Sequence, residues 1–177
     1  MEKKKFVILV IDDDPADVEI LRRHLEQIEG WEIKFLGCNN GGAGRAEALR
    51  CQADLIFLDY LLGVETGLEV FHEMRKGGCN LPVIMLTGHG SEEVAVEAMK
   101  AGVSDYLVKG RITRDSLRLV ISNAVQKFKR QQKIEEQRKA LRPDLLLRDL
   151  NLPRIDGREV LEQIWASLKI RGREYYP

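Results

Sequence analysis

Cysteine is scarce in this 177-residue chain and odd in number: Cys38, Cys51 and Cys79 share no metal-ligand spacing. That disfavours a disulfide framework or a thiolate zinc site, and the expectation is reduced thiols in a cytosolic protein. Net charge is also missing. Lys and Arg total 28 against 28 Asp and Glu, so no overall field draws the chain to nucleic acid or to a membrane surface. No apolar run is long enough to cross a bilayer. The run behind the basic start, residues 1–5, ends at Asp12 and is too short for a signal peptide. A cytoplasmic protein is expected. The apolar and charged fractions are those of a globular domain, and the length suits one domain of ordinary size plus an extension.

The apolar runs that are present are short and end in polar groups. Residues 54–59, Asp-Leu-Ile-Phe-Leu-Asp, hold four apolar residues that do not alternate with polar ones. Four are too few for a self-burying helix. Ile and Phe favour strands, and a strand covered on both faces needs no alternation. Asp59 then stands at the carboxyl end of a central parallel strand, the edge where open α/β sheets bind ligands. Residues 6–11 form a similar run closed by Asp12, Asp13 and Asp14. Pro15 suits the first turn of a helix with Asp14 as N-cap, and Val18, Leu21, Leu25 and Ile28 recur at helical spacing until Gly30.

A weaker strand covers 31–38, a glycine-rich loop 39–44, and a short helix 45–51. Residues 60–65 read as loop. Thr66 and Glu69 have capping-box spacing before a helix that Gly77 and Gly78 end. Residues 83–86 are a fourth strand ending at Thr87. Ser91 caps a helix that Gly102 closes. Residues 106–108 are a fifth strand ending at Lys109, and Thr113 caps a last helix. Five alternations of strand and helix predict an α/β fold. The sheet is doubly wound, five-stranded and parallel, in the order 2-1-3-4-5 with right-handed crossovers.

That order sets the first and third strands side by side. Asp12 and Asp13 then face Asp59, with Thr87 and Lys109 further along the same edge. Converging carboxylates repel unless a cation sits among them, and an all-oxygen donor set suits Mg²⁺. A carboxylate nucleophile, Mg²⁺, a lysine and a hydroxyl together describe phosphoryl transfer onto aspartate. Taken singly, Lys109 reads as a surface residue, Thr87 as a cap and Tyr106 as a half-buried strand tyrosine. The glycines at 41–44 read as a turn, and His24, His72 and His89 have no partners at recognisable spacing.

Five landmarks in order carry a resemblance: Ile-Asp12-Asp13, Leu-Asp59, Leu-Thr87-Gly88, Tyr106 and Leu-Val-Lys109. Residues 5–127 resemble the receiver domain of bacterial two-component response regulators, a flavodoxin-like fold. The resemblance implies that Asp59 is the phosphoacceptor. It implies that Asp12, Asp13, Asp59 and the backbone carbonyl of Leu61 hold Mg²⁺, that Thr87 and Lys109 contact the phosphoryl group, and that Tyr106 is the switch aromatic. It implies a sensor histidine kinase or phosphotransfer protein as donor and a downstream protein target. The domain would catalyse only its own phosphoryl transfer and hydrolysis. Two departures bear on loop geometry and partner choice. Gly110 stands where the family often has proline, and residues 60–67 read Tyr-Leu-Leu-Gly-Val-Glu-Thr-Gly where Met-Pro-x-Met-Asp-Gly is common.

Other classes are weaker. An aspartate-nucleophile phosphatase usually wants a second carboxylate two residues on, where Leu61 stands. The acidic mouth disfavours a flavin phosphate. A non-phosphorylated interaction or dimerisation module is the remaining alternative.

Residues 128–142 read as a basic helical linker extending the last helix. From 127 to 142 there are seven basic and two acidic residues, and no Gly or Pro before Pro143. Val120, Ile134 and Leu141 keep heptad phase but Lys127 breaks the seam, so any homodimer would use this helix weakly or the face of the fourth helix, fifth strand and fifth helix. No nucleic-acid reader motif accompanies the charge. Residues 143–177 look like an incomplete second copy: Asp149, Gly157, Glu159 and Val160 repeat Asp59, Gly67, Glu69 and Val70 at an offset of 90. With no acidic pair before it and Arg148 inside the strand-like run, Asp149 is expected not to be phosphorylated independently.

Overall fold

The computed structural model describes residues 3–88 and 92–140. The expected cap at Ser91 and the repeat-like stretch 143–177, with Asp149, lie outside the described residues. The chain divides into two units, Met1–Gln132 and Lys133–Pro177. The first is an α/β unit with strands β1 (Lys4–Ile11), β2 (Trp31–Cys38), β3 (Leu55–Asp59), β4 (Val83–Thr87) and β5 (Asp105–Val108). Helices α1 (Pro15–Glu26), α2 (Gly41–Arg50), α3 (Gly67–Lys76), α4 (Glu92–Ala101) and α5 (Arg114–Ala140) alternate with them, α5 running past the unit boundary. The strands lie in the order β2-β1-β3-β4-β5, and every pair is parallel.

Both faces of the sheet are covered. Phe6, Ile8, Val10, Leu55 and Phe57 pack with Leu21 and Leu25 of α1 and Leu117, Ile121 and Val125 of α5. Leu9, Ile11, Ile56 and Leu58 pack with Ala48 of α2, Phe71 and Met74 of α3 and Ala98 of α4. Alternate residues of one strand therefore serve opposite layers, which is why the run at Asp59 is apolar throughout. Each such side chain contributes about 1.5–3 kcal/mol on burial. Packing of this kind locks the register that sets Ile11 opposite Leu58 and Asp59 opposite Leu86.

The caps follow the local sequence. Asp14 accepts from Ala16 N at 2.8 Å with Pro15 behind it. Thr66 and Glu69 form the full capping box of α3, and Thr113 Oγ1 accepts from Ser116 N at 3.1 Å at the start of α5. Three boundaries differ from expectation. α1 ends at Glu26, before Gly30, although Ile28 still reaches the core. Leu61–Leu62 and Glu65–Thr66 make a small antiparallel ladder within the stretch expected to be loop. The third concerns the glycines at 41–44, which belong to α2, capped by Asn40 and starting four residues before the predicted position. Gly44 is there for close approach: a Cβ on it would stand 2.7 Å from Ile11 Cγ2. Glycine costs helix propensity here and gains contact between α2 and β1.

Candidate functional site

The carboxyl edge of the sheet gathers the predicted residues by topology alone. β1 and β3 are neighbours, so their terminal carboxylates meet at the point where the strand order reverses. Asp12, Asp13 and Asp59 each offer an oxygen within 4.8 Å of the others. Asp12 and Asp59 are 2% and 5% exposed, whereas Asp13 is open to solvent. Thr87, 5% exposed, ends β4 in register with Val108, the residue before Lys109. The Lys109 ammonium lies 2.8 Å from Asp12 Oδ2 and 3.1 Å from Asp59 Oδ1. A cleft of about 780 Å³, bordered by Asp12, Asp13, Arg22 and Asn39, opens beside the triad.

Burial first, and the Asp12 charge second, push the Asp59 carboxyl up to about 6 against the pull of Lys109. Burial likewise raises Asp12, opposed by Lys109 and by the Asp14 amide, which donates to its Oδ1 at 3.0 Å. Burial works against the Lys109 cation, but the neighbouring carboxylates of Asp12, Asp17 and Asp59 outweigh it and raise its pKa. Two acids crowded in low dielectric against one ammonium remain short of positive charge. Asp12 Oδ2 is buried and, although close to the ammonium, lacks a hydrogen bond of normal geometry. The donor set is all oxygen, one partner is solvent-facing and one buried oxygen is unsatisfied. These features fit a Mg²⁺ ion that keeps part of its water shell.

Leu61, two residues beyond Asp59, begins the small ladder opposite Thr66, with its side chain exposed. Gly67 fixes where that loop returns: a Cβ there would collide with the Asp59 carbonyl oxygen and stand 3.0 Å from Met85 Sδ. Tyr106, opposite Met85 on β5, is partly buried against the α2–α4 layer. Two groups escaped the sequence reading. Asp17, in the first turn of α1, accepts from Lys109 Nζ at 2.8 Å. The only signal for it was an acid one turn beyond the acidic loop. Arg45 of α2 grips Glu65 through both terminal nitrogens at 2.7 and 3.3 Å and meets Glu73 at 3.1 Å, tying the post-Asp59 loop to α2 and α3.

A parallel α/β sheet with an acidic triad and a lysine at its switch point defines a receiver-type domain. The response regulator receiver domain model matches residues 8–122, and the chain belongs to that family, the receivers of two-component signal transduction. It is 37% identical over 116 residues to the luminescence regulatory protein LuxO of Vibrio campbellii, covering 65% of this chain and 25% of that protein. It is 37% identical over 126 residues to the alginate biosynthesis regulator AlgB of Pseudomonas aeruginosa, covering 70% and 27%. The chain thus spans about a quarter of the length of these curated relatives. A CheY-like receiver domain structure from Methanospirillum hungatei superposes with a TM-score of 0.60 at 26% identity, covering 73% of this chain and 99% of that one. The receiver domain of a LuxO repressor from Vibrio parahaemolyticus shares the fold, with a TM-score of 0.65 at 22% identity over 74% and 98%.

Proposed function

We propose that this protein is a phosphorylation-controlled switch that accepts a phosphoryl group on Asp59 in a cytoplasmic two-component relay. The observation that carries it is the buried Asp59 carboxylate held between Asp12, Asp13 and the Lys109 ammonium. A carboxylate oxygen of Asp59 attacks phosphorus in a phosphohistidine, forming an acyl phosphate as the P–N bond breaks and the imidazole leaves. The donor is a sensor histidine kinase or phosphotransfer protein. Asp12, Asp13, Asp59 and the Leu61 carbonyl would hold Mg²⁺, which would supply charge neutralisation on the transferring oxygens. Lys109 and Thr87 serve as donors to the phosphoryl group. The new charge, roughly −1.5 to −2, draws Thr87 toward it, and Tyr106 takes up the space behind. The output is contact with a downstream protein. In this reading residues 5–127 form the receiver and 128–142 a basic linker.

Incubation with acetyl phosphate, with Mg²⁺ or EDTA, read by intact mass, tests this. One Mg²⁺-dependent phosphoryl group, absent in Asp59→Asn, is the expected result. An unlabelled wild-type chain would defeat the reading.

A further inference from the structure

Lys109 carries one partner that the phosphoacceptor chemistry does not require. Its ammonium has three N–H donors, and three carboxylates surround it: Asp12 and Asp17 at 2.8 Å and Asp59 at 3.1 Å. Asp12 and Asp59 belong to the acidic triad, whereas Asp17 does not. Asp17 sits on α1, its side chain 33% exposed against 14% for Lys109. The contact to Asp17 is a hydrogen bond, and an ammonium held there and flanked by Asp12 and Asp59 serves a phosphoryl oxygen only by giving up a partner.

Asp17 is the partner most readily given up. It lies in the first turn of α1, where the positive end of the helix dipole favours a carboxylate with or without a lysine, and it already reaches solvent. Asp12 and Asp59 are buried and would be left with uncompensated charge. The space around the pair also limits where the ammonium can go. A cavity of about 140 Å³ beside it is walled, apart from Asp12, Asp17 and Lys109 themselves, by Ile20, Leu21, Leu86, Gly110 and Ile112. Of these none offers a polar side chain, so an ammonium that leaves Asp17 moves toward the triad.

We propose that Asp17 is a positioning residue that holds Lys109 on α1 in the unphosphorylated protein, so that phosphoryl transfer must exchange the Lys109–Asp17 pair for a Lys109–phosphoryl contact. This inference rests on Asp59 being the phosphoacceptor. It makes Asp17 a brake on acceptance, and it ties the first turn of α1 to the phosphorylation state.

The full-length chain is compared with Asp17→Asn, Asp17→Ser and Asp17→Glu. At subsaturating acetyl phosphate with Mg²⁺, the Asn and Ser variants are labelled about three- to tenfold faster, the range expected for losing one partly exposed ion pair. The Glu variant, which keeps the charge, falls back toward wild type. In metal-free protein labelled with ¹⁵N-lysine, the Lys109 ammonium signal, held by its partners in wild type, broadens in the Asn and Ser variants, a change that needs no phosphorylation. Unchanged or slower labelling in these variants, or an unaltered ammonium signal, overturns the proposal. An unlabelled wild type alongside the expected ammonium change defeats the phosphoacceptor reading, and this inference falls with it.

Discussion

At Asp59 the electrostatic strain of the site has a stability consequence. Its folded pKa of about 6 stands above the ordinary carboxylate value of 3.8. A carboxyl with a raised folded pKa binds its proton more tightly in the native state. Its contribution is therefore fully present below the unfolded pKa and is lost as pH rises through about 6. Two pKa units correspond to roughly 3 kcal/mol, a net figure in which the pull of Lys109 is already counted. Asp59→Asn removes the charge while keeping the shape. In EDTA the variant should be more stable than wild type at pH 7 by about 1–3 kcal/mol, with the gap closing toward pH 4. Urea unfolding at the two pH values checks this, and a variant less stable than wild type at pH 7 would show that the Lys109 contact dominates. The sequence showed each acid but not this balance. Burial and the 3.1 Å approach of Lys109 arise only when strand ends 50 residues apart are brought level. Asp17 was overlooked for the same reason, its partner being 92 residues away.

The elements were legible where the signal is local. Asp14 before Pro15, Thr66 three residues before Glu69, and unbroken apolar runs for doubly covered strands each depend on neighbours in sequence. The start of α2 was misread because glycines at 41–44 look like a turn until Ile11 is seen against Gly44. The Arg45 clamp was equally hidden, since its anions lie 20 and 28 residues on. It joins α2 to the ladder carrying Leu61–Leu62 and to α3, so it stiffens the loop after Asp59. Arg45→Met keeps the apolar stem and removes the fork. It should cost about 1 kcal/mol. A double-mutant cycle with Glu65→Gln should then show a second loss much smaller than the first. Additive losses in urea unfolding would mean that the pair is not coupled and that the loop is held by Gly67 and the capping box instead.

On the scale of the whole molecule, the sheet order and its switch point followed from the alternation of elements, while the extent of the last helix did not set the extent of the domain. Leu117, Val120, Ile121, Ala124 and Val125 of α5 are buried. From Lys129 to Lys139 every side chain of α5 is exposed, Ile134 at 64%. Ending the chain after Gln132, the boundary between its two units, therefore removes no buried α5 side chain among those described. Residues 1–132 should fold, take up one phosphoryl group from acetyl phosphate, and gain the same Mg²⁺-dependent stability as the full chain. An ion bound only by the native state adds about 2.7 kcal/mol at one hundred times its Kd, and EDTA should abolish that gain in both proteins. Thermal melts with and without Mg²⁺, and intact mass after labelling, make the comparison. A full chain that takes a second phosphoryl group, lost on ending at Gln132, would place an acceptor in the later stretch and make Asp149 the first residue to replace.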